Sequence, residues 1–238
     1  MLPVSELLFL MVLGISLGDE DKDCIQERIS LINPSYVEQK LDRFQSELQE
    51  LKSKLENRVL FTRWGRRDCP QGISNLVYAG FTGGSHYTHK GGAAEYVCLP
   101  PDPTWGVFKY LEHTDVGYMY GAEYETPEQM FGVSHTKEDI PCAVCEGTSH
   151  SVVLMIPGRV NCYPNWVEAY HGNLVSGYHN HEAASQYICM DGDPQTVPGG
   201  GAVDDNGKLV YGVKTVCGSL LCPPYENDKF LSCVVCLK

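Results

Sequence analysis

Apolar residues recur at alternating steps of four and three from Val37 through Leu41, Phe44, Leu48 and Leu51 to Leu55. This is a heptad seam with Leu41, Leu48 and Leu55 at a, and Val37, Phe44 and Leu51 at d. Asp42, Arg43, Gln45, Glu47, Lys52 and Lys54 occupy the other faces. The pattern predicts a coiled-coil oligomerisation stalk over 34–60. A lone amphipathic helix docked on a neighbouring domain is the alternative, but it would carry a wider apolar stripe. Ahead of the seam, the apolar run from Leu7 to Leu17 is too short to span a bilayer. With small residues at its end it reads as a secretory signal over 1–18. Its leading residues include Glu6 and no Lys or Arg, which leaves an ordinary buried helix as the second reading. Residues 19–33 form an acidic leader that contains Cys24, and 61–68, with Arg63, Arg66 and Arg67, read as a solvated basic hinge or a processing site.

Beyond residue 68 the period changes. Short runs rich in Val, Ile, Tyr and Leu predict strands at 75–80, 94–99, 117–120, 151–156, 185–190, 208–213 and 231–237. Gly83-Gly84, Pro100-Pro101, Pro157-Gly158, Gly199-Gly200-Gly201 and Asn206-Gly207 separate them as turn residues.

A second regularity overlies the strands. Cys98 is followed by Tyr120 at an offset of 22, by Cys142 at 44 and by Cys145 three later. Cys189, Tyr211, Cys233 and Cys236 repeat the same intervals. Tyr78-Ala79-Gly80 and Tyr170-His171-Gly172 precede the two copies. Such spacing reads as an internal duplication. It predicts a mainly β, disulfide-stapled head over 69–238, built of two pseudo-symmetric halves, 69–150 and 151–238.

Composition narrows the function classes. The formal net charge of −12 in 238 residues argues against nucleic acid and anionic membranes as partners. Eleven cysteines imply an oxidising, extracellular setting. Ten lie in the head, and Cys24 stands apart as a candidate interchain tie. No Asn-x-Ser/Thr sequon occurs.

Longer strings carry a resemblance. Arg63-Trp64-Gly65-Arg66, Cys69-Pro70, Gly83-Gly84-Ser85-His86-Tyr87-Thr88-His89, Tyr120-Gly121-Ala122-Glu123-Tyr124 and Pro141-Cys142-Ala143-Val144-Cys145 form one set. Leu154-Met155-Ile156-Pro157-Gly158-Arg159, Cys217-Gly218-Ser219-Leu220-Leu221-Cys222-Pro223-Pro224-Tyr225 and Cys233-Val234-Val235-Cys236 continue it. Together, over about 63–238, they resemble the C-terminal non-collagenous domain of the invertebrate short-chain (spongin-type) collagens, thought to be akin to the C-terminal domain of type IV collagen. The resemblance implies a matrix role, a head that directs chain association, and the pairs Cys69–Cys145, Cys98–Cys142, Cys162–Cys236, Cys189–Cys233 and Cys217–Cys222. Neighbours at i and i+3 on a strand face opposite ways, consistent with their having different partners. One departure stands out: no Gly-X-Y repeat occurs, so no collagen triple helix forms.

The remaining constellations are weighed against plainer accounts. The two Cys-x-x-Cys pairs lack zinc-ribbon spacing and read as disulfide halves. His86 and His89 precede Cys98, and His179 and His181 precede Cys189, so corresponding loops each carry a histidine pair. These four are metal candidates, with hydrogen bonding to nearby backbone as the plainer reading. Asp191, Asp193, Asp204, Asp205 and Asn206 lack calcium-loop spacing and read as a solvated hairpin turn. Tyr87, Trp105, Tyr118, Trp166 and Tyr178 are candidates for stacking on sugars or proteins, or for strand packing. No nucleophile or metalloprotease motif is present, so no enzyme and no cofactor are expected. The expectation is a secreted homo-oligomer, a trimer by analogy with collagens, whose partners are matrix proteins or glycans. The alternative is a soluble lectin-like recognition protein whose stalk supplies avidity.

Overall fold

The computed structural model describes residues 34–54, 58–106, 115–126, 128–133, 137–201 and 203–238. The expected signal over 1–18, the acidic leader with Cys24, and Leu55 of the seam lie outside the described residues. The chain divides into two units, 1–56 and 57–238.

In the first unit, helix α1 (Pro34–Lys54) coincides with the heptad pattern. Pro34 opens it, where a fixed φ and a missing N–H cost nothing. Arg43 and Glu47 pair along its surface at 2.9 Å. Within this unit Val37, Leu41, Phe44, Leu48 and Leu51 are 49–65% exposed.

The second unit is the head, mainly β, with ten strands among the described residues. They are β1 (Arg58–Trp64), β2 (Ser74–Gly84), β3 (Val97–Leu99), β4 (Tyr120–Tyr124), β5 (Pro141–Thr148), β6 (Val153–Pro157), β7 (Val167–Ser176), β8 (Ile188–Asp191), β9 (Lys208–Gly212) and β10 (Ser232–Leu237). A short helix, α2 (Glu128–Phe131), follows β4. The path runs β6-β10-β7-β8-β1-β5-β2-β4-β9, β3 flanks β2, and a β7–β9 pairing returns the path to β7. Most neighbours are antiparallel; β4 and β9 run parallel, with Ala122 opposite Lys208 and Tyr124 opposite Val210.

Three strands were not expected from the sequence, and a fourth, β4, starts at Tyr120, where the expected strand 117–120 ends. β7 and β5 were masked by interior His, Asn, Glu and Gly, and β1 falls where a stalk end and a basic hinge are expected. The basic segment is not a solvated hinge. Val59 and Phe61 turn inward while Leu60 turns out, and all seven residues of β1 pair with β5. Arg63 and Arg66 are neutralised by acids 128 and 127 residues away. Arg63 Nε donates to Asp191 Oδ2 at 2.7 Å, and Arg66 to Asp193 at 2.6 Å and to Asp68. The head therefore begins before residue 61.

Five disulfides staple the described residues: Cys69–Cys145, Cys98–Cys142, Cys162–Cys236, Cys189–Cys233 and Cys217–Cys222, the five pairs named above. Two buried clusters lie behind the sheet. One joins Phe61, Ala143 and Cys145 to Tyr170, Leu174, Cys233 and Val235. The other joins Tyr96, Tyr124 and Ile140 to Val175, Met190 and Val210. Both draw on residues before and after 150, so the two stretches share a core. Tyr170 of β7 directs its hydroxyl at Thr62 O of β1 and Cys189 O of β8, each at 3.1 Å. No helix among the described residues is long and apolar enough to cross a membrane.

Candidate functional site

Two loops meet at one place on the head. The first leaves β2 at Gly83-Gly84 and returns to β3. It is folded by Ser85 Oγ donating to Ala93 O, His89 N to His86 O, and Gly92 N to His89 O. Gly92 is required here, since a Cβ would lie 2.5 Å from that of Ser85. The second leaves β7 and returns to β8, with Ser176 Oγ donating to Ser185 O and His181 N to Tyr178 O. The loops are bonded to each other: Ala183 N to Tyr87 O at 3.0 Å, Gln186 N to Ala94 O at 3.1 Å, and Ser185 Oγ to the Tyr96 hydroxyl at 2.9 Å.

Beneath them lies Lys208, 2% exposed. Its ammonium donates to Ala94 O in one loop and Ala184 O in the other, at 3.3 and 3.4 Å, and sits 4.9 Å from the Tyr96 ring centroid. Burial lowers its pKa, and Glu95 opposes that. A buried ammonium satisfied by main-chain carbonyls and an aromatic face acts as a clamp between the loops.

The clamp assembles a ring cluster. His89 meets Tyr120 edge-on at 5.5 Å, and His181 meets Tyr211 edge-on at 5.6 Å. His86 lies 5.0 Å from His89 and 5.1 Å from Tyr120. Tyr87 against His181, at 4.5 Å, joins the two sets. Tyr178 completes the second set against His181 and Tyr211, and His179 lies against Tyr178 at 4.4 Å. Tyr118 extends the first set beside His89. Burial, with His89 adding, lowers the pKa of His86; burial, with His86 adding, lowers that of His181. Burial, helped by Glu125, pushes the Tyr211 hydroxyl up to about 12.

Beside the cluster opens a cavity of about 780 Å³ whose walls include Tyr178, His179, His181, Tyr187, Tyr211 and Phe230. Aromatic faces and imidazole rings suit stacking and hydrogen bonding on a partner. The nearby hydroxyls of Ser85, Ser176 and Ser185 already donate to protein acceptors.

The structure thus brings His86, His89 and His181 together with Tyr87, Tyr118 and Tyr178, and leaves Trp105 72% exposed elsewhere. Trp166 faces Lys238 instead. None of the four histidines joins a group of three metal-capable side chains among the described residues; that group is Glu123, Glu125 and Asp204. The Asn206-Gly207 segment is not a hairpin turn, since β9 pairs with β4 and β7, not with β8. Sequence reasoning assigned no role to Tyr120, Tyr211 or Lys208. The tyrosines were signalled by their shared offset of 22 from Cys98 and Cys189; a lysine at the head of a strand signals nothing of the kind. No family model matches the chain, and no solved structure matches it.

Proposed function

We propose that this is a secreted, oligomeric extracellular-matrix component that works by association through its disulfide-stapled head rather than by catalysis. The observation that carries this reading is the seam of five large apolar side chains exposed along α1 within its own unit. Such a stripe is stable in water when covered by copies of itself. Oligomerisation as a coiled coil, a trimer by preference, would then multiply heads, with Cys24 as the candidate tie. The disulfide content and the motif resemblance to the short-chain collagen terminal domain support the extracellular setting. We also infer that the head arose by duplication. β2 pairs with β5, β3 and β4, and β7 with β10, β8 and β9, in the same chain order.

A second reading, lectin-like recognition, is favoured by the aromatic and histidine-lined cavity between Tyr178 and Phe230. Sequential extraction of the native protein separates the two. Release only by denaturant with reductant is the expected result for a crosslinked matrix component. Complete recovery in saline would exclude it and direct attention to glycan binding.

A further inference from the structure

Glu123 lies in β4 and Glu125 just past its end, where Glu125 N still bonds Val210 O of β9 at 3.0 Å, so the two side chains project to the same face. The parallel partner β9 is entered through Asp204 and Asp205. This register carries the Asp204 carboxylate to the two glutamates. One ligand oxygen from each of Glu123, Glu125 and Asp204 lies within 4.8 Å of the others. An ion equidistant from three such oxygens lies within about 2.8 Å of each, and a small side-chain adjustment brings them to calcium–oxygen distances of roughly 2.4 Å.

The independent observation is Glu123 itself. It is only 3% exposed. Its Oε1 accepts from Asp205 N at 3.1 Å, while its Oε2 is buried without any hydrogen-bond partner. A buried carboxylate oxygen with no donor is costly unless a cation or proton satisfies it. The Lys137 ammonium pairs with the exposed Asp204, and Oε2 stays unpartnered. One lysine faces three carboxylates, with Asp139 and Asp205 also close enough to act on Glu123.

We propose that Glu123, Glu125 and Asp204 bind a divalent cation, calcium, between β4 and the segment entering β9. All donors are hard oxygens, which excludes a preference for soft metals. Their placement on one strand end and one loop suits the adaptable coordination of calcium better than the strict octahedron of magnesium. With three protein carboxylates and water completing the shell, the site belongs to the weak class, with Kd about 10⁻⁴–10⁻³ M. The ion ties the stretch before residue 150 to that after it, and it does so whether or not the heads assemble into a matrix.

The test is calorimetric titration of the chelator-stripped full chain with calcium chloride, and with magnesium chloride, at constant ionic strength. One site in the stated range is expected for calcium, with magnesium at least about tenfold weaker. Glu123→Gln keeps the acceptor for Asp205 N and is expected to weaken binding by at least tenfold with an unchanged far-ultraviolet spectrum. Asp204→Asn, at the exposed rim, should do the same if Glu123→Gln fails to fold. Lys137→Gln removes the competing ammonium and should tighten binding. No calcium binding by the wild-type chain, or equal binding by Asp204→Asn, overturns the assignment.

Discussion

Gly172→Ala is expected to break the joint between β7 and β8 on which the second loop stands. A Cβ at Gly172 would lie 1.9 Å from Met190 O, 2.6 Å from Gly192 N and 2.7 Å from the carbonyl carbon of Asp191. Ordinary contact needs about 3.4 Å, and the obstructing atoms are backbone, so the strands must part by about 1.5 Å. Strands pair about 4.8 Å apart, and a hydrogen bond stretched from 2.9 Å by that amount is lost. The Gly192 N to His171 O bond, 2.9 Å long, lies at this point, as does the register from Gly172–Asp191 to Val175–Ile188. Losing two such ladder bonds costs about 1–3 kcal/mol, at about 0.5–1.5 for each, before any loss of packing between the strands is added. The gain from a stiffer unfolded chain, about 0.4–1 kcal/mol, does not offset this. Gly80→Ala, where a Cβ would meet Leu99 O at 1.9 Å, should fail in the same way. Gly121→Ala is the control: it also lies in a strand, but nothing lies within 4 Å of its Cβ position. Urea unfolding with disulfides intact, followed by circular dichroism and tryptophan fluorescence, measures all three. A Gly172→Ala protein within about 0.5 kcal/mol of wild type, or a Gly121→Ala protein as damaged as it, would refute the reasoning.

Three further outcomes follow from the same geometry. Replacing Cys189 and Cys233 by alanine, which opens a 44-residue separation, should cost about 4 kcal/mol on loop entropy, against about 2 for Cys217 and Cys222, separated by 5; denaturant midpoints decide. Lys208→Met should cost about 1–3 kcal/mol, because Ala184 O loses its ammonium donor, and should alter the near-ultraviolet signal of the tyrosine cluster. Acid should weaken the cluster. The folded pKa values of His86 and His181 lie below the ordinary 6.5, so their contribution is complete above that value and is lost as the pH falls through and below it. Urea midpoints at pH 7.5 and 5 should therefore differ less in His86→Gln/His181→Gln than in wild type.

How far the sequence reaches is visible in particular elements. The equal intervals of 44 correspond to two bridges, and the heptad residues from Val37 to Leu51 lie on a helix, because covalent spacing and period survive folding unchanged. β1 was hidden because Arg63 reads as solvent-facing until Asp191, 128 residues on, is brought to 2.7 Å. Lys208 misleads in the same way, since its partners are main-chain carbonyls and no side-chain pattern announces them. Glu123 and Asp204 are separated by a register between parallel strands, which only the folded sheet specifies. The paired histidines were recognisable as loop residues, but their joining through Tyr87 and His181 depends on loop-to-loop hydrogen bonds. Local pattern yields elements; long-range charge pairing and strand register assemble the site.

The measurement that bears most directly on the account is the solution mass of the full chain by light scattering during size-exclusion chromatography, beside a Leu41→Asp/Leu48→Asp variant. An integer multiple of the 26.4 kDa chain, less any leader removed, is expected for the wild type, three copies by preference, with the variant at one. A monomeric wild-type chain, or a variant that remains oligomeric, would contradict the claim that α1 gathers the heads.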